Sequence, residues 1–194
     1  MIAALLLAAG RSSRFGGDKL LAPLRGHPVL FWSAAAIATE VDALYLVVPT
    51  GATARVAALE GIPAVVVEHA GRDAGMASSI RAGIAALPPE VEAVVIALAD
   101  QPLIARDVVR RLCARWREGG AMAVAPYYRD GRGHPVLFGR PSFAALSALT
   151  GDHGARPVLD SLADAVATIP VDESAPVDVD TPEALRSLAA IWRR

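Results

Sequence analysis

Several large classes of protein are excluded by what this chain lacks. It has one cysteine, Cys113, in 194 residues. No internal disulfide can form, and Cys113 reads as a small apolar group for the interior. The four histidines, His27, His69, His134 and His153, show none of the close spacing of a zinc site. Neither charge sign dominates: 19 basic residues stand against 20 acidic, for a net charge of −1. With only 5% aromatic residues, no basic stripe with interleaved rings is present, and nucleic-acid binding is not expected. Long hydrophobic runs are missing too. The longest, Met1 to Ala9, falls far short of the ~20 residues that span a bilayer. No positive segment precedes it, and its cations come afterwards, unlike a signal peptide. We expect no membrane partner and a cytoplasmic location. No linker, repeat or low-complexity tract interrupts the chain, so one domain, 1–194, with a sizeable core is expected.

The most informative stretch is the first turn. An apolar run, Ala3 to Ala9, stops at Gly10. The ten residues from Gly10 to Lys19 then carry three glycines, two serines, two arginines and one lysine. This is a buried strand emptying into a glycine-rich cationic loop. Glycine permits close backbone approach to a ligand. Successive loop N–H groups can form an anion-binding concavity. Arg11, Arg14 and Lys19 add positive charge, so a polyphosphate is the natural guest; a solvated surface loop is the plainer alternative. Standard fingerprints fail here. Gly16 follows Gly10 by six residues and Leu20 follows Lys19, so there is no Walker A. Position 12 is serine, so the dinucleotide pattern is broken, and Arg14 spoils a nucleophile elbow.

Further along, Pro28 to Ala38 reads as a helix. Ala43 to Val48, Ala64 to Val67 and Val94 to Ala99 read as strands, as do Ala121 to Ala125 and Ala165 to Ile169. Val136 to Phe138 reads as a short, antiparallel strand. Continuous apolar strands alternating with helices indicate a parallel sheet covered on both faces. Gly75 opens a helix with Ile80, Ile84 and Leu87 on one face. There Ser78 or Ser79 either caps the helix or meets a ligand. Asp100 ends the clearest strand, where ligands of open α/β sheets bind. It could instead cap the helix at Arg106 to Trp116, but Pro102 intervenes. A helix is expected around Val158 to Leu162, preceded by a polar loop in which Asp152 suits a cap or turn. Thr181 and Pro182 start the last helix, with Leu185, Leu188 and Trp192 on its buried face, so Asp180 could simply favour that helix dipole.

The first turn matches L-A-A-G-x-S-x-R-x-G-x-x-K-L at Leu7, Ala8, Ala9, Gly10, Ser12, Arg14, Gly16, Lys19 and Leu20. It resembles the signature of the MobA-like nucleotidyltransferases. Four further blocks resemble that family in order: Gly75 to Gly83, Ala99 to Pro102, Gly133 to Val136, and Gly151 to Arg156; Asp178 to Leu185 extends the likeness to the end. The resemblance implies a three-layer α/β/α sandwich, a Rossmann-like, mostly parallel sheet of the nucleotide-diphospho-sugar transferase (GT-A-like) type. It implies Mg²⁺ held by Asp100 and Asp180, with Arg14, Lys19 and Asp100 serving catalysis. Leu7, Ala8, Ala9, Gly10, Ser12, Arg14, Lys19, Gly75, Ser78 and Ser79 would bind nucleotide. Gln101, His134, Asp152 and Arg156 would face the acceptor. The blocks look most like the cytidylyltransferases that join CTP to molybdopterin, the molybdenum cofactor precursor, for delivery to a recipient molybdoenzyme. Cytidylyl-transferring members tend to carry L-A-A-G, as here, and guanylyl-transferring ones L-A-G-G. Alternatives are GTP, a sugar 1-phosphate acceptor, or a non-catalytic cofactor-loading chaperone.

Overall fold

The computed structural model describes residues 1–10, 12, 14–70 and 75–192. In chain order come β1 (Ile2–Leu7), a 3-10 turn at Lys19–Leu21, a small hairpin of β2 (Pro23–Leu24) and β3 (His27–Pro28), and α1 (Val29–Ala38). Then follow β4 (Ala43–Pro49), α2 (Thr53–Ala57), β5 (Val65–His69), α3 (Gly75–Ala85) and β6 (Ala93–Leu98). The second half holds α4 (Arg106–Arg117), β7 (Ala123–Tyr128), β8 (Gly131–Arg132), β9 (Val136–Gly139) and α5 (Phe143–Ser147). It ends with α6 (Arg156–Ser161), β10 (Val166–Pro170) and α7 (Pro182–Ile191).

The main sheet runs β10-β7-β9-β6-β1-β4-β5, with β8 paired to β7. β1 is parallel to both β4 and β6, β4 to β5, and β10 to β7. β9 runs against β6 and β7, as its short apolar stretch suggested. Side chains of a strand alternate between faces, and β1 uses both. Ala4, Leu6 and Ala8 join Leu30 and Ile37 of α1 with Val109 and Leu112 of α4. Ala3, Leu5 and Leu7 join Ile80 and Ile84 of α3, Leu146 of α5 and Leu159 of α6. Each Leu or Ile so buried stabilises the fold by about 1.5–3 kcal/mol. The result is a three-layer α/β/α sandwich with β1 inside its sheet, between β6 and β4. Gly83 lets α3 lie close on the sheet, because a Cβ there would come within 2.7 Å of Leu5 and 3.2 Å of Val47. A smaller cluster of Ala22, Leu24, Val29, Val179 and Leu188 docks α7. Among the described residues no helix is long and apolar enough to cross a membrane.

Some boundaries move for local reasons. Pro28 pairs with Pro23 across the hairpin, so α1 begins at Val29. The strand expected at Ala121 to Ala125 is shifted to Ala123–Tyr128: Pro126 is tolerated, and Tyr127 and Tyr128 find partners in β8. α6 starts earlier than expected, at Arg156, with Pro157 in its first turn. The five-residue helices α2 and α5 are too short to leave a periodic signal.

Candidate active site

From β1 the chain continues to β4 on one side, while β6 lies on the other. The crevice beyond the ends of β1 and β6 is therefore a topological switch point, where open α/β sheets bind ligands. Backbone bonds continue just past both strands, from Ala8 N to the Val47 carbonyl at 2.8 Å and from Ala99 N to the Leu7 carbonyl at 3.2 Å. The glycine-rich loop thus departs from fixed backbone. Above it lies a cavity of about 550 Å³, within the range of small-molecule sites. Leu7, Ala9, Gly10, Ser12 and Lys19 line it from the loop; His69, Gly75, Met76 and Ser79 from β5 and α3; and Asp100, Asp152, Asp178 and Asp180 from the later loops. A separate hollow of about 340 Å³ between α2 and β5 is lined by Leu46, Val56, Leu59, Ile62 and Val66, with Glu60 its one charge. It offers no converging polar groups.

Lys19 sits at the floor of the larger cavity. Its ammonium donates to Asp100 Oδ2 at 2.5 Å and to Asp180 Oδ1 at 2.7 Å. Burial works to lower the Lys19 pKa, but the charge and hydrogen bond of Asp100, with those of Asp180, outweigh it, and the ammonium titrates above the ordinary lysine range. The hydrogen bond from Lys19 holds Asp180 below the usual carboxylate range, with the charges of Lys19 and Arg14 helping. Ser12 Oγ accepts from Lys19 N at 3.2 Å, and Asp18 caps the following 3-10 turn through Leu20 N. α4 has Ala105, not Asp100, at its N-cap. Thr181 caps α7 through Ala184 N, as expected.

The start of α3 is held from outside. Asp152 Oδ1 accepts from Met76 N at 3.3 Å, and the Gly151 carbonyl accepts from Ala77 N. Gly75 has φ +73, and a Cβ there would meet Asp152 Oδ1 at 2.0 Å, so only glycine fits. Asp152 therefore does part of the helix-end work at the start of α3. Ser78 Oγ donates to the Gly75 carbonyl and lies outside the cavity wall. Ser79 Oγ is 3.1 Å from His69 Nε2 inside it. Burial holds His69 below its ordinary pKa, so it is neutral at pH 7 and can accept or donate a hydrogen bond.

The remaining expected residues are placed less directly. Ala8 is buried beneath the loop. Arg14 is largely exposed, at 3.6 Å from Asp180 Oδ2. Gln101 is buried and reaches the cavity only through Asp178, whose Oδ1 accepts from its Nε2 at 2.8 Å. Its Oε1 has no partner among the described residues. His134 is half-buried off the cavity wall, and its Nδ1 has no partner among the described residues. Burial lowers its pKa against the pull of the Ile96 carbonyl, Asp178 and Asp100. Arg156 is exposed, pairs with Asp160 at 3.7 Å, and is not on the cavity wall. Arg11 lies outside the described residues. Asp178, His69 and Met76 join the wall without having been singled out in the sequence. Burial pushes Asp178 up, opposed by the bond from Gln101 and reinforced by the charges of Asp100 and Asp180.

Asp100 and Asp180 already hold one positive nitrogen between them, and carboxylate oxygen is the donor that hard divalent cations take. The pair fits such an ion. Among the described residues no group of three or more acidic, histidine or cysteine side chains is assembled for a metal, so phosphate and water would complete the shell.

Residues 4–166 match the family described as the MobA-like NTP transferase domain. The purine catabolism protein PucB of Bacillus subtilis is 31% identical over 194 residues, covering 92% of this chain and 91% of that one. A molybdenum cofactor guanylyltransferase of Cereibacter sphaeroides is 36% identical over 135 residues, covering 68% of this chain. A 2-C-methyl-D-erythritol 4-phosphate cytidylyltransferase of the same organism is 37% identical over 117 residues, covering 58% of this chain. The chain spans 65% and 52% of those two proteins. Among solved structures, Rv0371c of Mycobacterium tuberculosis H37Rv superposes with a TM-score of 0.85 at 34% identity, covering 99% of this chain and 100% of that one. Its complex with manganese gives a TM-score of 0.82 at 32% identity, covering 98% and 99%. The glycine-rich loop, the switch-point crevice and the carboxylate pair thus sit on a nucleotidyltransferase fold, and the chain belongs to the MobA-like NTP transferase family.

Proposed function

We propose that this protein transfers CMP from CTP to molybdopterin, releasing pyrophosphate and forming a dinucleotide cofactor for a recipient molybdoenzyme in the cytoplasm. The observation that carries the reading is the convergence of Lys19, Asp100 and Asp180 at the mouth of the β1–β6 crevice, beneath a loop suited to phosphate. The reaction is an in-line displacement at the α-phosphorus. The acceptor phosphate attacks as an existing anion, so no general base or covalent nucleophile is needed. Positioning and electrostatics do most of the work in such transfers. Lys19 leaves the carboxylates to neutralise the triphosphate, and Arg14, exposed at the rim, adds a second charge. Asp100 and Asp180 would hold Mg²⁺, and the ion would supply charge neutralisation at the transferred phosphoryl group. The manganese complex of the mycobacterial relative agrees with a divalent ion. Ser79 and His69 face the base and ribose, with Ser78 supporting the helix that carries Ser79. The acceptor enters beside Asp152, and Arg156 reaches it from the same loop–helix junction. Gln101 and His134 act from behind, through Asp178 and the strand ends.

The base is read beside Ala9, on the cavity wall. Its Cβ narrows the space and restrains the backbone, where glycine would relax both. A preference for CTP follows. GTP is the second reading, favoured by relatives named guanylyltransferases. One methyl group in a pocket discriminates by about 10–200-fold. Comparison of kcat/KM for CTP and GTP should show CTP favoured, and the ratio should shrink in Ala9→Gly. A wild-type preference for GTP would replace the first reading with the second.

A further inference from the structure

Among the described residues Arg55 is the only formally charged residue that is buried, at 5% exposure. It lies on α2, in the crossover between β4 and β5, and belongs to none of the sequence blocks above. Each of its three guanidinium nitrogens bonds to the glycine-rich loop or to the strand end that enters it. Nη1 donates to the Ala8 carbonyl, Nη2 to the Gly10 carbonyl at 3.1 Å, and Nε to Asp18 Oδ2 at 2.7 Å. One planar group therefore ties the loop's departure, at Ala8 and Gly10, to its return, at Asp18. Asp18 passes the constraint on, because its other oxygen accepts from Leu20 N and caps the turn that begins with Lys19. The Ala8–Ala9 peptide is trans. With its carbonyl fixed on Arg55, the Ala9 N–H points the opposite way, and Ala9 is on the cavity wall.

A buried charge is a poor device for stability alone, since apolar residues of similar volume often do as well or better. A rigid fork with three loop acceptors does what an apolar side chain cannot: it fixes a backbone conformation. We propose that Arg55 is a positioning residue for phosphate binding, bracing the chain at Ala8, Gly10 and Asp18 so that the backbone that carries Lys19 is set before the triphosphate arrives. The proposal rests on the nucleotide reading of this cavity, but not on which base or acceptor is used.

The test is calorimetric titration with inorganic tripolyphosphate, which carries neither base nor acceptor. Wild type, Arg55→Lys, Asp18→Asn, Lys19→Ala and the double variant Arg55→Lys/Lys19→Ala are compared, with melting curves for each. Arg55→Lys keeps the charge but loses the fork. It should weaken binding by about 5–150-fold, the usual range of coupling between linked sites. Asp18→Asn should weaken it in the same direction. Because Arg55 acts through the placement of Lys19, the double variant should bind little worse than Lys19→Ala. Independent contributions would instead multiply. A loss of less than about fivefold in folded Arg55→Lys, or losses that multiply in the double variant, would overturn the proposal. If Arg55→Lys fails to fold, Asp18→Asn and its double variant with Lys19→Ala decide by the same criteria. Intact tripolyphosphate binding that depends on Arg55, with no turnover of CTP, would leave this inference standing while the proposed reaction fell.

Discussion

Replacing Lys19 by methionine removes the nitrogen that two carboxylates share. Its side chain is 12% exposed and Asp100 19%, so that bond is largely out of water. A hydrogen bond between charged groups in such a place contributes about 1.5–3 kcal/mol. Asp180 is 47% exposed, so its bond is screened and adds only about 0.2–1 kcal/mol. Without divalent ions, Lys19→Met should lose about 2–4 kcal/mol, and the two carboxylates then confront each other. In a domain of this size the loss lowers Tm by about 4–16 °C. A divalent ion should reverse the order. In wild type the ammonium competes for the two carboxylates, whereas in the variant they are open to the ion. The assay is thermal unfolding followed by circular dichroism, in EDTA and in excess Mn²⁺, without nucleotide. The variant should recover much of its deficit with Mn²⁺ while wild type moves little. Equal melting temperatures in EDTA, or equal Mn²⁺ shifts in both proteins, would refute the shared-site argument.

Two further outcomes are expected. Gly83→Ala should destabilise by about 1–3 kcal/mol, as overpacking does, because its methyl would collide with Leu5 and Val47; unchanged denaturant midpoints would show that α3 simply shifts. His69 and His134 both titrate below the ordinary histidine value because of burial. The unfolded chain therefore takes up protons below about pH 6.5 that the folded one refuses, so their contribution is complete above that pH and lost as pH falls. Asp178, pushed up by burial, works the other way in the acid range, so the useful comparison is between proteins. His134→Asn should melt with a shallower acid slope than wild type, and identical slopes would remove His134 from the account.

The strands were legible because β1, β4 and β6 are continuous apolar runs, and the loop because glycine and cations cluster within a few residues. Asp100 was legible because it follows a strand with a proline behind it, which leaves capping a poor explanation. What escaped depends on distant partners. Arg55 meets Gly10 across 45 positions, and its five-residue helix has no period to read. Asp152 reaches the start of α3 from 76 positions away. Gln101 carries the right block signature, yet is buried and bonds to Asp178, 77 positions away. Asp178 lies beside Asp180 in sequence, but its place on the cavity wall follows from the backbone bond of Val179 N to the Asp100 carbonyl.

The most direct measurement is a single-turnover reaction of the purified protein with CTP, molybdopterin and Mg²⁺, quantifying pyrophosphate and the dinucleotide product by mass. Wild type should give the two in equal amounts. Asp100→Asn, folded as judged by its melting curve, should be slower by roughly 10²-fold or more, the scale on which deletion of one electrostatic stabiliser acts. No pyrophosphate from wild type with any nucleotide, or undiminished product from Asp100→Asn, would contradict the assignment of nucleotidyl transfer to this crevice.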